Sequence, residues 1–149
     1  MSTKTELAEV RRGSCLCGAV RYEVQGDPIR FMTCHCINCR KATGTAFMSN
    51  GLFPRNVAQR FRLVSGQEKL KVFLDKGTTS GVPLSRHFCR ECGSNVVNVS
   101  KDPEKSKQYI AVAMGSLDDD MHWLPTGQFF PEQKRHWVVG IHMAEAKPT

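Results

Sequence analysis

Thr33-Cys34-His35-Cys36-Ile37-Asn38-Cys39-Arg40-Lys41 places three thiols within six residues. Spacing this dense fits ligands of one metal ion better than buried free cysteines. Two further pairs, Cys15/Cys17 and Cys89/Cys92, flank it in the sequence. The chain reads as a small domain tied by one complete metal site and carrying a second, incomplete one.

Cys89-x-x-Cys92-Gly93 is a zinc-knuckle half-site. The two-residue gap lets both thiolates reach one ion, and the glycine permits the tight turn. Cys15 and Cys17 stand two apart. In an extended segment both sulfurs share one face, which makes this pair the natural complement. Four thiolates close a tetrahedron and make a structural site, whose binding free energy becomes folding free energy. Cys34, Cys36 and Cys39 then remain. Three protein ligands with one open position is the pattern of a catalytic zinc, and a second purely structural site is the alternative. His35 and His87 are further candidate ligands. A partition in which the trio borrows a cysteine from one pair leaves an orphan thiol.

With 149 residues, 40% hydrophobic and 23% charged, the composition is that of one soluble globular domain. No apolar run approaches the roughly 20 residues that span a bilayer. Met1 to Arg12 lacks an apolar signal region, so a cytoplasmic chain with reduced thiols is expected. Residues 1–12 are read as a flexible or edge segment and residues 13–149 as a single domain. The net charge of +7 favours anionic partners. Yet the cations are scattered in short groups with no basic stripe and no interleaved aromatics, which disfavours nucleic acid. Arg40 and Lys41 are the exception, because they lie against the cysteine trio.

Val20, Tyr22 and Val24 alternate with Arg21 and Glu23, the period of a half-buried strand. Between Cys36 and Thr43 the sequence reads as a helical turn stopped at Gly44. Arg60–Val64 and Lys69–Leu74 read as two strands joined by a turn, with Leu70, Val72 and Leu74 inward. Lys76–Gly81 is read as a loop. Asn95–Val99 is a strand, Lys101–Lys107 a charged loop, Tyr109–Met114 a central strand and Trp137–Ile141 a last short strand. Many short strands with Gly-rich turns indicate a mainly β domain.

Four segments, in order, carry a resemblance. They are Gly13-Ser14-Cys15-Leu16-Cys17-Gly18-Ala19-Val20, Cys34-His35-Cys36 through Ala46-Phe47, Arg86-His87-Phe88-Cys89-Arg90-Glu91-Cys92-Gly93-Ser94, and Gly115-Ser116-Leu117-Asp118-Asp119. Together they resemble the glutathione-dependent formaldehyde-activating enzyme family, which includes the centromere protein V domain. The likeness runs from about Gly13 to Trp137. It implies a zinc-containing fold of small stacked antiparallel sheets, similar to that of a zinc-containing Rab exchange factor. It also implies two zinc ions: a structural one on Cys15, Cys17, Cys89 and Cys92, and a catalytic one on Cys34, Cys36 and Cys39. Asn95 stands where many members have proline.

The implied activity is that of a carbon–sulfur lyase, similar to S-(hydroxymethyl)glutathione synthase. A thiol such as glutathione would join formaldehyde or another carbonyl compound. Arg40 and Lys41 are then the candidate anion contacts, Thr43 and Gly44 candidate donors, and His35 a candidate proton shuttle with an ordinary pKa near 6.5. The competing reading is a non-catalytic, zinc-stabilised binding module for an acidic partner or nucleic acid. A thiol redox enzyme would need a free nucleophilic cysteine, and all seven are assigned.

Overall fold

The most apolar run in the chain does take the centre of a sheet. The structure, a computed structural model, describes residues 8–55 and 60–146. In chain order its strands are β1 (Val10–Ser14), β2 (Arg21–Gln25), β3 (Arg30–Cys34), β4 (Met48–Pro54), β5 (Phe61–Ser65), β6 (Leu70–Asp75), β7 (Leu84–Cys89), β8 (Asn95–Ser100), β9 (Tyr109–Ala113) and β10 (Gly127–Phe129). Two short helices are α1 (Ile37–Thr43) and α2 (Pro103–Gln108). The protein is thus mainly β. A three-stranded sheet has the order β1-β2-β5, and a seven-stranded sheet the order β10-β3-β4-β9-β8-β7-β6, with β9 fourth of seven. All pairings are antiparallel except that of β10 with β3.

One core joins the two sheets. Tyr22, Val24 and Phe61 from the smaller sheet pack with Phe53, Val96 and Val112 from the larger. Each such side chain contributes about 1.5–3 kcal/mol by leaving water. The Gly115–Asp119 stretch clamps the sheets at one end. The Tyr22 hydroxyl lies 2.6 Å from that of Ser116, the Ser14 hydroxyl donates to the Asp118 carboxylate at 2.8 Å, and the Arg12 N–H donates to Asp119 at 2.7 Å.

Four expectations need correction. First, β5 and β6 do not pair, because they belong to different sheets. β6 is an edge strand on β7, so Val72 and Leu74 are 50% and 40% exposed rather than inward, Leu70 is half-buried, and the buried residue is Asp75. Second, Lys101–Lys107 is not a loop throughout. Asp102 accepts from the N–H groups of Glu104 and Lys105, and Pro103 occupies the first helical turn, which starts α2. Third, Trp137–Ile141 forms no strand; Val139 is 90% exposed. The last strand is β10, three residues laid parallel to Met32–Cys34. Fourth, of the segment read as flexible or edge, Val10–Arg12 belong to β1, an edge strand of the smaller sheet, so flexibility is corrected there and the edge reading is not; residues 1–7 lie outside the described residues. No helix of the described residues is long and apolar enough to cross a membrane.

Candidate metal centres and the cleft beside one of them

Both sulfur clusters assemble as the spacing predicts. The Cys15, Cys17, Cys89 and Cys92 sulfurs lie within 4.8 Å of one another, and so do those of Cys34, Cys36 and Cys39. Each set can therefore hold a metal ion. Residues up to 77 positions apart are joined in the first by local turns: the Gly18 N–H closes a turn on the Cys15 carbonyl, and Gly93, at φ 77°, closes the knuckle on the Cys89 carbonyl. The Ser94 hydroxyl and amide pull the Cys92 thiol down to about 5.

The trio is built by a strand that runs into a helix. Cys34 ends β3, and Cys36 caps α1 in an extended conformation, accepting the Cys39 N–H at 3.3 Å. Cys39 therefore returns over Cys36 after one turn, and Cys34 and Cys36 come to 3.5 Å. All three are buried. Gly44 ends the helix at φ 68°, a left-handed conformation that favours glycine, and its N–H donates to the Arg40 carbonyl. Three sulfurs this close do not all ionise unaided. Hydrogen bonds from the Cys34 and Cys39 thiols hold Cys36 far below the ordinary thiol range, and donating to Cys36 pushes the Cys34 thiol far up. A divalent cation removes that repulsion, so the donor set fits a thiophilic metal.

A buried ion pair supports the trio from behind. Arg86, on β7, donates through Nε and Nη2 to Asp75 at 3.0 and 2.9 Å, while Nη1 and Nη2 lie 3.8 and 3.9 Å from the Cys39 sulfur. Asn38, on α1, donates to both Asp75 oxygens at 2.9 Å and to the Gly77 carbonyl at 3.0 Å. Burial opposes the charge on Asp75, but the Asn38 and Arg86 hydrogen bonds outweigh it and hold the carboxyl below its ordinary value. Burial likewise opposes charge on Arg86, and Cys39 and Asp75 overcome it.

Cys34, Cys36 and Cys39 line a cleft of about 220 Å³ together with Leu52, Val82, Leu84, Ala111, Tyr109, Phe129, Phe130, Arg86 and Lys105. β10 places the two phenylalanines, since Phe129 pairs with Cys34 in register. A larger cavity of about 590 Å³ lies on the other side of Met48, lined by Ser14, Thr43, Thr45, Ser94, Asn95 and Asp118 among others.

The sequence-expected substrate contacts do not gather at the cleft. Arg40 and Lys41 line neither cavity. Thr43 faces the larger one, with its hydroxyl donating to the Cys39 carbonyl at 2.8 Å, and the Gly44 N–H is engaged by the helix end. His35 points away from the sulfurs, is fully buried against Phe47, and has Nε2 2.8 Å from the Gln128 amide oxygen. It lines neither cavity, and His87 belongs to neither sulfur set. Asn38, Asp75, Arg86, Lys105, Phe129 and Phe130 were not read as site residues. Opposite charges on either side of the Lys76–Gly81 loop were the available signal for Asp75 and Arg86. The three-residue β10 offered none.

Known proteins bear on this arrangement. A Halomonas elongata protein carrying the name "Putative glutathione-dependent formaldehyde-activating enzyme" is 37% identical over 87 residues, 55% of this chain and 51% of that protein. The chain thus spans about half the length of that curated relative. A crystal structure of a Rhodobacter sphaeroides protein shares the fold, with a TM-score of 0.55, 23% identity, and coverage of 74% of this chain and 91% of that one. The profile of the family described as "Glutathione-dependent formaldehyde-activating enzyme" matches residues 10–133, which takes in both sulfur clusters, the ion pair behind Cys39 and β10. The chain therefore belongs to the glutathione-dependent formaldehyde-activating enzyme family.

Proposed function

We propose that this protein is a carbon–sulfur lyase-type enzyme that joins a thiol to a carbonyl compound, or splits their adduct, at Cys34, Cys36 and Cys39. The observation that carries the reading is a buried set of three sulfurs opening into a cleft, beside a separate set of four. The thiol and carbonyl named by the family are glutathione and formaldehyde. Zinc, held by the three thiolates, would leave a fourth position and lower the pKa of a thiol that reaches it. Cys15, Cys17, Cys89 and Cys92 would hold a second zinc that serves folding.

The reaction is an addition without net redox. The thiol loses its proton, its sulfur bonds to the carbonyl carbon, the C=O π pair moves to oxygen, and that oxygen takes up a proton. The product is a hemithioacetal, and lysis is the reverse. The chain's own contribution is placement and charge. Arg86 offsets negative charge at Cys39, Asp75 fixes Arg86, and Asn38 ties that pair to α1. Phe129 and Phe130 exclude water from one wall. His35, held by Gln128, acts as a positioning residue for the Cys34–Cys36 segment.

The test is the exchange rate of formaldehyde with its thiol adduct, read by magnetisation-transfer NMR for several thiols, glutathione included. Cys36→Ser should reduce every enzyme-accelerated rate to the uncatalysed background while leaving the fold intact by circular dichroism. Full acceleration in Cys36→Ser would overturn the proposal.

A further inference from the structure

The cleft beside the trio has a chemistry of its own. Its volume, about 220 Å³, lies below the roughly 300–1,000 Å³ of pockets that enclose drug-sized ligands. Its walls are mostly apolar or aromatic, among them Leu52, Leu84, Tyr109, Phe129 and Phe130. Among the described residues no Asp or Glu lines it. Two cations do. Arg86 is engaged by Asp75 and Cys39, whereas Lys105 makes no ion pair among the described residues. The uncharged polar groups are Asn50, Thr78, Thr79, Ser80, Asn98 and Ser100; Asn98 donates to Met48 and Asn50, Thr78 donates to the Val82 carbonyl, and Ser80 and Ser100 accept the Val82 and Asp102 N–H groups.

Glutathione matches these walls poorly. It carries two carboxylates, an ammonium and two amides. Among the described residues the cleft offers one cation without an ion pair and no carboxylate to receive the ammonium, and its volume is small for the whole tripeptide. Each polar group buried without a partner against such walls weakens binding. A ring-sized apolar body bearing one carboxylate meets every feature instead: sulfur toward the cysteines, ring against Phe129 and Phe130, carboxylate toward Lys105.

We propose that the thiol taken at Cys34, Cys36 and Cys39 has a compact apolar body and a single carboxylate recognised by Lys105. Phe130 and Lys105 are then the residues that set specificity. This inference rests on the thiol–carbonyl reading above and narrows its thiol.

Binding tests it separately from turnover. The zinc-loaded full chain is titrated calorimetrically with 4-(mercaptomethyl)benzoate, benzyl mercaptan and glutathione, all alkyl thiols. The carboxylate-bearing benzyl thiol should bind at least tenfold more tightly than glutathione. Lys105→Met, on the exposed face of α2, should weaken that ligand about five- to tenfold and leave the other two unchanged within twofold. Phe130→Ala should weaken both benzyl thiols and spare glutathione. Glutathione binding most tightly, or a Lys105→Met effect equal for all three, would overturn the inference even if turnover is found. The predicted binding order without adduct formation from any carbonyl compound would leave the ligand class standing and remove the catalytic reading.

Discussion

Asp75→Asn removes one charge from the pair behind Cys39 and keeps its shape. The side chains of Arg86 and Asp75 are only 6% and 8% exposed, so salt and water screen them little. Removing one partner of such a pair costs about 3–5 kcal/mol, because the other charge stays buried. Asparagine retains an oxygen that can accept from Arg86, which favours the lower end, about 3 kcal/mol. For a chain of this size about 2–4 °C of Tm follows each kcal/mol, so melting should fall by roughly 6–12 °C at pH 7. The sign of the pH dependence follows from the depressed carboxyl. Its contribution is complete above the unfolded value of about 3.9 and is lost as pH falls through the lower folded value. The deficit of Asp75→Asn relative to the parent should therefore shrink below about pH 4. Elemental analysis on the same samples separates this effect from metal loss in acid. Thermal melts followed by circular dichroism from pH 3 to 8 supply the comparison. A Tm within 2 °C of the parent at pH 7 would refute the argument, since Arg86 would then be hydrated. The double variant Asp75→Leu/Arg86→Met separates fold from site. It should regain stability to within about 1 kcal/mol of the parent, because no lone charge remains. Its metal affinity at the trio should still fall about 10- to 100-fold, because the cation beside the Cys39 sulfur is gone.

Chelator should act in two steps: metal leaves Cys34, Cys36 and Cys39 first with the far-ultraviolet spectrum unchanged, and loss from the four-cysteine site then unfolds the chain, as elemental analysis and circular dichroism on the same samples would show. Release of both ions in one unfolding step would contradict that ranking. Gly44→Ala should cost about 1–2 kcal/mol in urea melts, since its φ of 68° is strained for alanine although no atom lies within 4 Å of the added carbon, and Gly44→Asn should cost less. Phe53→Ala should cost about 3–5 kcal/mol in the same assay, because Phe53 is fully buried in the core shared by both sheets, and metal content should not change.

The sulfur clusters were legible because each pair and the trio are local. Two thiols one residue apart in extended backbone, or two residues apart around a turn, converge wherever the chain later goes. Cys34, Cys36, Cys39 and the stop at Gly44 follow from the backbone of eleven residues. The cleft depends on distant residues and was not legible. Alternation correctly identified β6 as a strand, but alternation says only which residues share a face. Whether the face is covered depends on strand order, and β6 lies at the sheet edge with Val72 and Leu74 open to solvent. The same limit misplaced the last strand. Trp137–Ile141 has the apolar run of a strand but pairs with none among the described residues, whereas Gly127–Phe129 is too short to show a period and is held by the edge of β3. That edge brings Phe129 beside Cys34, and the register of the β6–β7 hairpin brings Arg86 to Cys39 from 47 residues away. A motif of adjacent cysteines thus announces the metal, but the residues that would choose its substrate arrive from β7, α2 and β10. A charged pair next to the motif, such as Arg40 and Lys41, is a poor guide to them: once α1 forms, residues adjacent to a ligand in sequence turn to other faces of the helix, and neither lines the cleft.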